Sequence, residues 1–224
     1  MEKYLDTLKC VPLFGGLSDD EILCALDHIS AKIRICHDDE VIMQVGEKAE
    51  WLGIVLNGEV HIVSEDFYGN RNIIANVCSG EMFGEAFACA GTLSLPVSVY
   101  SHGCSEIILA DCKKIIDVSS SGGSFHGKMA FNMITVLARK NILLNSKIGF
   151  ITKRTTREKL LAYLSSMALK NNSGEFDIPF DRQQLADFLS VDRSAMSAEL
   201  CKLRDDGLIK FRKSHFTVFS GNNT

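Results

Sequence analysis

The residues best suited to chemistry lie near the C-terminal end, in the stretch "VDRSAMSAELCKLRDD" (191–206). Asp192 caps a helix there. Arg193, Ser194, Ser197 and Ala198 face one way from its first turns, and Lys202 follows one turn on. A guanidinium and hydroxyls on the leading half of a short helix suit the base edges of a DNA major groove. Arg193 is the candidate for a bidentate contact to guanine, while Ser194 and Ser197 can donate to phosphate or base. The preceding helix, "RQQLADFL", opens behind its cap Asp181 with Arg182 and Gln183, where Arg182 fits a phosphate contact that sets register. Beyond Gly207, Lys210, Arg212 and Lys213 add positive charge that binds phosphate without reading sequence.

A second stretch, "FGEAFACAGTLSLPVSV" (83–99), has the form of a ligand-holding cassette, with Gly84-Glu85 ahead of small residues. It contains no lysine or arginine and closes on Pro96-Val97. Neither can neutralise a phosphate: proline lacks even its N–H, and valine offers only a backbone donor.

Other chemistries find little support. The eight cysteines, at 10, 24, 36, 78, 89, 104, 112 and 201, form no C-x-x-C pair, so no zinc ribbon or finger is expected. They read as small buried side chains of a reducing compartment, with thiol redox chemistry as the alternative. The six histidines, at 28, 37, 61, 102, 126 and 215, lack ligand spacing. No Ser-His-acid arrangement, metal triad or Gly-rich phosphate loop is present, so no catalytic residue, metal site or cofactor is expected and the chain is not read as an enzyme.

The elements that must carry these residues follow from pattern. The chain has 224 residues, 46% of them hydrophobic and only 3 of them proline, enough for a folded core and two domains. Residues 1–150 carry 12 Lys+Arg against 19 Asp+Glu, and residues 151–224 carry 12 against 9. An acidic body joined to a basic C-terminal piece suits a sensor joined to a DNA-binding domain. The opening residues lack the apolar core of a signal peptide and no run approaches a membrane span, so a soluble, cytoplasmic protein is expected.

Ser18 with Glu21 predicts a helix over 19–29. Short Val- and Ile-rich runs over 31–112, broken at Asn57-Gly58, Tyr68-Gly69-Asn70, Ser79-Gly80 and His102-Gly103, predict an antiparallel β-roll. "SSSGGS" (119–124) predicts a turn, after which one long helix runs over 125–151. That helix is apolar on two neighbouring faces, which suits packing on its own roll and pairing with a second copy. The pairing residues are expected to be Met133, Ile134, Leu137, Asn141, Leu144 and Ile148, with Asn141 setting register. Thr155 and Glu158 make a second capping box, so 152–155 is a candidate hinge. Beyond the loop "KNNSGE" (170–175) come two short helices joined by "LSVD" and a hairpin in "LIKFRKSHFTVF", which spell a winged helix-turn-helix. The expected class is α+β, with domains over 1–124 and 152–224 flanking the pairing helix.

The whole chain resembles the CRP/FNR family of bacterial transcription regulators. "QVGEKAEWLGIVLNGEVHI" (44–62) is similar to the family's β-roll signature and "GEMFGEAF" (80–87) to its cassette entry. "DRQQLADFLSVDRSAMSAELCKLRDDGLI" (181–209) is similar to its helix-turn-helix. The resemblance implies a cyclic-nucleotide-binding-like roll, a homodimer joined along the long helix, and DNA domains re-aimed when an effector binds. It also implies double-stranded DNA with an inverted repeat, and RNA polymerase, as partners. The effector pocket would lie around Gly84, Glu85, Phe87, Pro96, Val97 and Val99, with Leu144 and Asn145 from the long helix.

In cyclic-AMP-binding members the cassette glutamate holds the ribose, and an Arg-Ser pair takes the phosphate. Glu85 keeps the first role, but the pair falls on Pro96-Val97, and the base-contacting Thr-Ser step falls on Leu144-Asn145. An unidentified effector other than cyclic AMP is therefore expected. A redox-responsive (thiol or haem) or constitutively active regulator is the alternative; Cys89 stands where a haem-type sensor would carry an axial ligand. The family's first recognition arginine is kept as Arg193. Its usual acidic neighbour is Ser194 and its second arginine is Ala198, so an altered DNA preference is implied.

Overall fold

A serine followed three residues later by a glutamate starts the first sizeable helix of the computed structural model, which describes residues 1–65, 71–116 and 124–219. After a short helix α1 (Leu5–Cys10), Ser18 caps α2 (Asp19–His28). The Glu21 N–H donates to Ser18 Oγ at 3.3 Å, and the Ser18 N–H donates to the Glu21 carboxylate at 2.8 Å. This is the expected box, satisfying two helix-end donors reciprocally.

The strand-rich region forms one antiparallel sheet: β1 (Lys32–Cys36), β2 (Val41–Met43), β3 (Trp51–Glu65), β4 (Arg71–Cys78), β5 (Met82–Phe83) and β6 (Ser98–Asp111), with helix α3 (Glu85–Ala90) between the last two. The strand order is β1-β6-β3-β4; β2 also pairs with β6, and β5 with β3. Two expected turns are corrected. Asn57-Gly58 does not separate two strands but sits at a register shift inside the continuous β3. His102-Gly103 likewise lies within β6: Asn57 faces Glu106 and Glu59 faces His102, so β6 carries two extra residues there. Positive-φ glycine serves a bulge as well as a turn, and pairing on both sides of it decides which forms. Tyr68-Gly69-Asn70 lies outside the described residues, as does most of the 119–124 turn.

α4 (Cys112–Ile116) follows β6, and α5 (Ser124–Ile151) is the long helix. The chain divides into two units, Met1–Ala138 and Arg139–Thr224. In the first unit, Leu8, Ile22 and Leu26 pack with Leu52, Ile54 and Ile108 of the sheet and with Met129, Met133 and Val136 of α5. A second cluster unites Val55, Val60, Val77, Phe83, Val99 and Ile107. Met133, expected on the pairing surface, is only 2% exposed and belongs to its own unit's core. Leu137 is half-buried against the same cluster, whereas Ile134, Asn141, Leu144 and Ile148 are exposed, together with Phe131.

In the second unit Thr155 caps α6 (Thr156–Asn171) through the expected box with Glu158, so Lys170 and Asn171 end that helix rather than begin the loop. β7 (Glu175–Asp177), α7 (Arg182–Leu189), α8 (Arg193–Asp205), β8 (Ile209–Arg212) and β9 (His215–Val218) complete it. The wing is a three-stranded sheet of order β7-β9-β8, one strand more than the predicted hairpin. Among the described residues, no helix is long and apolar enough to cross a membrane.

Candidate functional site

The candidate DNA-facing site is assembled from caps and a small apolar core. Asp181 accepts from the Gln184 N–H at 2.8 Å and starts α7, whose Leu185, Ala186 and Leu189 are fully buried. Ser190 takes a left-handed conformation (φ 51°), and the Val191 N–H donates back to the Ala186 carbonyl at 3.0 Å, which makes the tight turn. Asp192 then starts α8 by accepting from the Ala195 N–H at 2.8 Å. Met196, Leu200 and Leu203 are buried from α8, so its other face, carrying Arg193, Ser194, Ala198 and Lys202, is exposed.

The predicted contact residues divide by how free their polar atoms are. Arg193 and Ser194 are exposed on the first turn of α8. Ser197 donates its hydroxyl to the Arg193 carbonyl at 2.9 Å, so it meets a ligand chiefly as an acceptor. Lys202 lies 3.5 Å from Glu199. Gln183 donates to Asp187 at 2.8 Å. The Asp192 carboxylate is engaged as the helix cap, as its place ahead of α8 predicts. Arg212 is exposed on β8. Arg182 is half-buried, its guanidinium 5.0 Å from the ring centre of Phe211 and 5.2 Å from that of Phe216, and burial pulls its pKa down. It ties the start of α7 to the wing.

Two positioning residues escaped the sequence reading. Lys159 of α6 donates to the carbonyls of Leu189 (3.2 Å) and Ser190 (3.1 Å), placing a cation on the carbonyl end of α7 at the turn. Arg157 bridges Glu199 (3.2 Å) and Asp206 (2.6 Å), and the bonds to Asp206 and Glu199 raise its pKa. Their partners are 30 to 49 residues away, so local spacing carries no signal of them.

In the first unit Gly84 (φ 76°) turns the chain from β5 into α3, with the Trp51 carbonyl 3.2 Å from where a Cβ would sit. A side chain there would be strained twice over, by conformation and by contact. Glu85 follows at 3% exposure, a buried carboxylate at the start of α3. Phe87 is half-buried against the inner cluster, and Val99 is a member of it. Val97 is half-buried and Pro96 exposed. The segment is stitched to the sheet by Val45 N–H donating to Ser98 Oγ (2.9 Å), Gly46 N–H to the Leu95 carbonyl (2.9 Å) and Leu95 N–H to the Glu47 carbonyl (2.7 Å). Leu144 and Asn145 belong to the second unit, where both are exposed and Asn145 donates to Asn141 at 2.5 Å. Among the described residues, no group of three or more His, Cys, Asp or Glu is arranged to hold a metal ion.

Two family models match the sequence: a cyclic nucleotide-binding domain over residues 33–108 and a Crp-like helix-turn-helix domain over residues 158–220. No curated protein matches the sequence. Among solved structures, the fold is similar to that of CLP, the c-di-GMP responsive global regulator of Xanthomonas campestris, at 17% identity and a TM-score of 0.55, covering 91% of this chain and 100% of that one. It is also similar to a candidate cAMP-binding regulatory protein from Silicibacter pomeroyi DSS-3, at 17% identity and a TM-score of 0.54, covering 98% and 95%. A candidate cyclic nucleotide binding protein from Ruegeria pomeroyi DSS-3 gives 16% identity and a TM-score of 0.53, covering 97% and 93%. At such identities these structures show a shared fold. With the roll matched first, the helix-turn-helix second and a long helix linking them, the chain belongs to the CRP/FNR family of transcription regulators, with an effector-binding domain and a DNA-binding domain.

Proposed function

We propose that this protein is a homodimeric, sequence-specific DNA-binding regulator whose affinity for DNA is set by a small effector other than cyclic AMP. The observation that carries the reading is the presentation of α8. Its apolar face is buried and its first turn is pinned by Asp192, while Arg193 and Ser194 stand exposed where a helix enters a major groove. The dimer reading rests on the exposed apolar residues of α5: Ile134 is 65% exposed, Leu144 61% and Ile148 52%. So much apolar surface on one helix suits burial against a second copy.

The effector is taken to be neutral or cationic and partly apolar. Glu85 supplies the only charge between residues 83 and 99, and Pro96-Val97 cannot hold a phosphate. The domains are assigned to 1–124 and 152–224 with the pairing helix between them. The protein works in the cytoplasm, on double-stranded DNA and with RNA polymerase, and without catalysis of its own.

Selection of bound DNA from a random pool by the full chain tests this. The expected result is an inverted repeat with half-sites about 34 Å apart, read by a dimer in sedimentation. Ile134→Glu with Ile148→Glu is expected to give a monomer with weaker binding. A selected consensus lacking two-fold symmetry would sink the dimer reading, and calorimetric binding of cyclic AMP would sink the effector reading.

A further inference from the structure

Five of the eight cysteines are exposed rather than buried as expected, and one pair is set apart by its geometry. Cys89, near the end of α3, and Cys112, at the junction of β6 and α4, are 23 residues apart in sequence, yet their sulfurs are 3.0 Å apart. A disulfide bond is about 2.05 Å long, so closing the gap asks for a movement of about 1 Å. Cys112 is buried and Cys89 half-buried. The two thiols are also chemically unlike. The hydrogen bond from the Cys112 S–H pulls the Cys89 pKa down, while that same bond and burial hold the Cys112 proton far above the ordinary thiol range. A partly accessible sulfur whose pKa is drawn down by its neighbour, backed by a buried second thiol, lets an oxidant meet the first and the second complete the reaction.

We propose that Cys89 and Cys112 form a convertible dithiol, oxidised by a hydroperoxide to a disulfide that ties α3 of the cassette to the start of α4. The Cys89 sulfur attacks one peroxide oxygen and the O–O bond breaks. With hydrogen peroxide, the departing hydroxide takes the Cys89 proton as water and leaves a sulfenic acid. The Cys112 sulfur then attacks the Cys89 sulfur and the S–O bond breaks. The second hydroxide leaves with the Cys112 proton as water. Two thiols lose two electrons in all, and one peroxide gives two waters. A dithiol reductant reverses the bond by exchange.

The disulfide fixes the helix that begins with Glu85, so oxidation acts on the effector cassette. This regulatory half rests on the reading of the chain as an effector-gated DNA binder; the sulfur chemistry does not.

The test uses the full chain with its five exposed cysteines replaced, as C10S, C24S, C78S, C104S and C201S, leaving Cys36, Cys89 and Cys112. After hydrogen peroxide, intact mass is expected to fall by two hydrogen atoms. Digestion should yield a Cys89–Cys112 cross-linked peptide that dithiothreitol abolishes. Adding Cys112→Ala is expected to leave a sulfenic acid on Cys89 that dimedone traps. The same mapping on the unsubstituted chain gives the answer if that variant does not fold. Oxidation of Cys89 to a sulfinic acid with Cys112 still free, or a disulfide to Cys36, overturns the proposal.

Affinity for the selected DNA site is expected to differ about tenfold between the dithiol and disulfide forms. Equal affinities overturn the regulatory half. Absence of DNA binding in both forms is the failure of the DNA-regulator reading instead, and the mass result still decides the sulfur chemistry.

Discussion

Arg182 should anchor the wing before it touches any phosphate, and its replacement separates the two roles. Its guanidinium lies 5.0 Å and 5.2 Å from two ring centres, those of Phe211 and Phe216, which face each other across β8 and β9. One half-buried cation over two ring faces is worth about 1–2 kcal/mol, between exposed and desolvated cation–π values. The alkyl stem adds packing that a methionine retains and an alanine loses. Arg182→Met is therefore expected to cost the second unit about 1 kcal/mol, and Arg182→Ala about 2 kcal/mol. Hydrogen exchange of the β8–β9 amides reads this directly. The single tryptophan, Trp51, lies in the first unit, so its fluorescence in urea serves as an internal control that should not change. Arg182→Lys keeps a charge for a phosphate but loses the flat stacking group, so its wing should lose protection as well. The opposite result would refute this reasoning. In that case Arg182→Met would leave exchange untouched, and the salt slope of DNA binding would flatten by about 0.9 for each phosphate no longer neutralised, a change that Lys would restore.

Three further expectations follow from the same geometry. Arg193→Ala should weaken binding to the selected site roughly 5- to 150-fold and relax preference at one position of each half-site, read by competition against single-base variants. Gly53→Ala should destabilise the first unit by about 1–3 kcal/mol or more in Trp51-monitored urea melts, because a Cβ there would sit 2.0 Å from the Phe83 ring, and Phe83→Leu should relieve part of the cost. His215 donates to Glu175 at 2.9 Å and to Asp177 at 3.2 Å, which needs both ring nitrogens protonated, and these bonds raise its pKa above 6.5. Its contribution is complete below about pH 6.5 and fades as pH rises through the higher folded value, so exchange protection of the wing should fall over that window and His215→Asn should remove the dependence.

Much of the architecture could be read from local pattern. Ser18 with Glu21, Thr155 with Glu158, and the caps Asp181 and Asp192 act within one helical turn, so their spacing in sequence is their spacing in space. The order of roll, long helix and winged helix-turn-helix followed from which periodicity held in each stretch. The failures share one cause. Asn57-Gly58 and His102-Gly103 have turn composition, but whether a glycine reverses a strand or bulges it depends on what pairs with the residues beyond it. The short α3 (Glu85–Ala90) had no period long enough to announce it. Met133 and Ile134 are both apolar neighbours on α5, and only the sheet packed against the helix distinguishes the buried one from the exposed one.

The sequence alone determined the family pattern, the candidate DNA-reading helix and the absence of a cation between residues 83 and 99, because these depend on residue identity and short-range order. Tertiary structure alone decided which polar groups remain free to act. It laid Arg182 over two aromatic rings. It set Lys159 at the end of α7 and brought Cys89 to within 3.0 Å of Cys112. Each of the three joins residues at least 20 apart in the chain, and such contacts follow from how packed elements meet rather than from any spacing the chain displays.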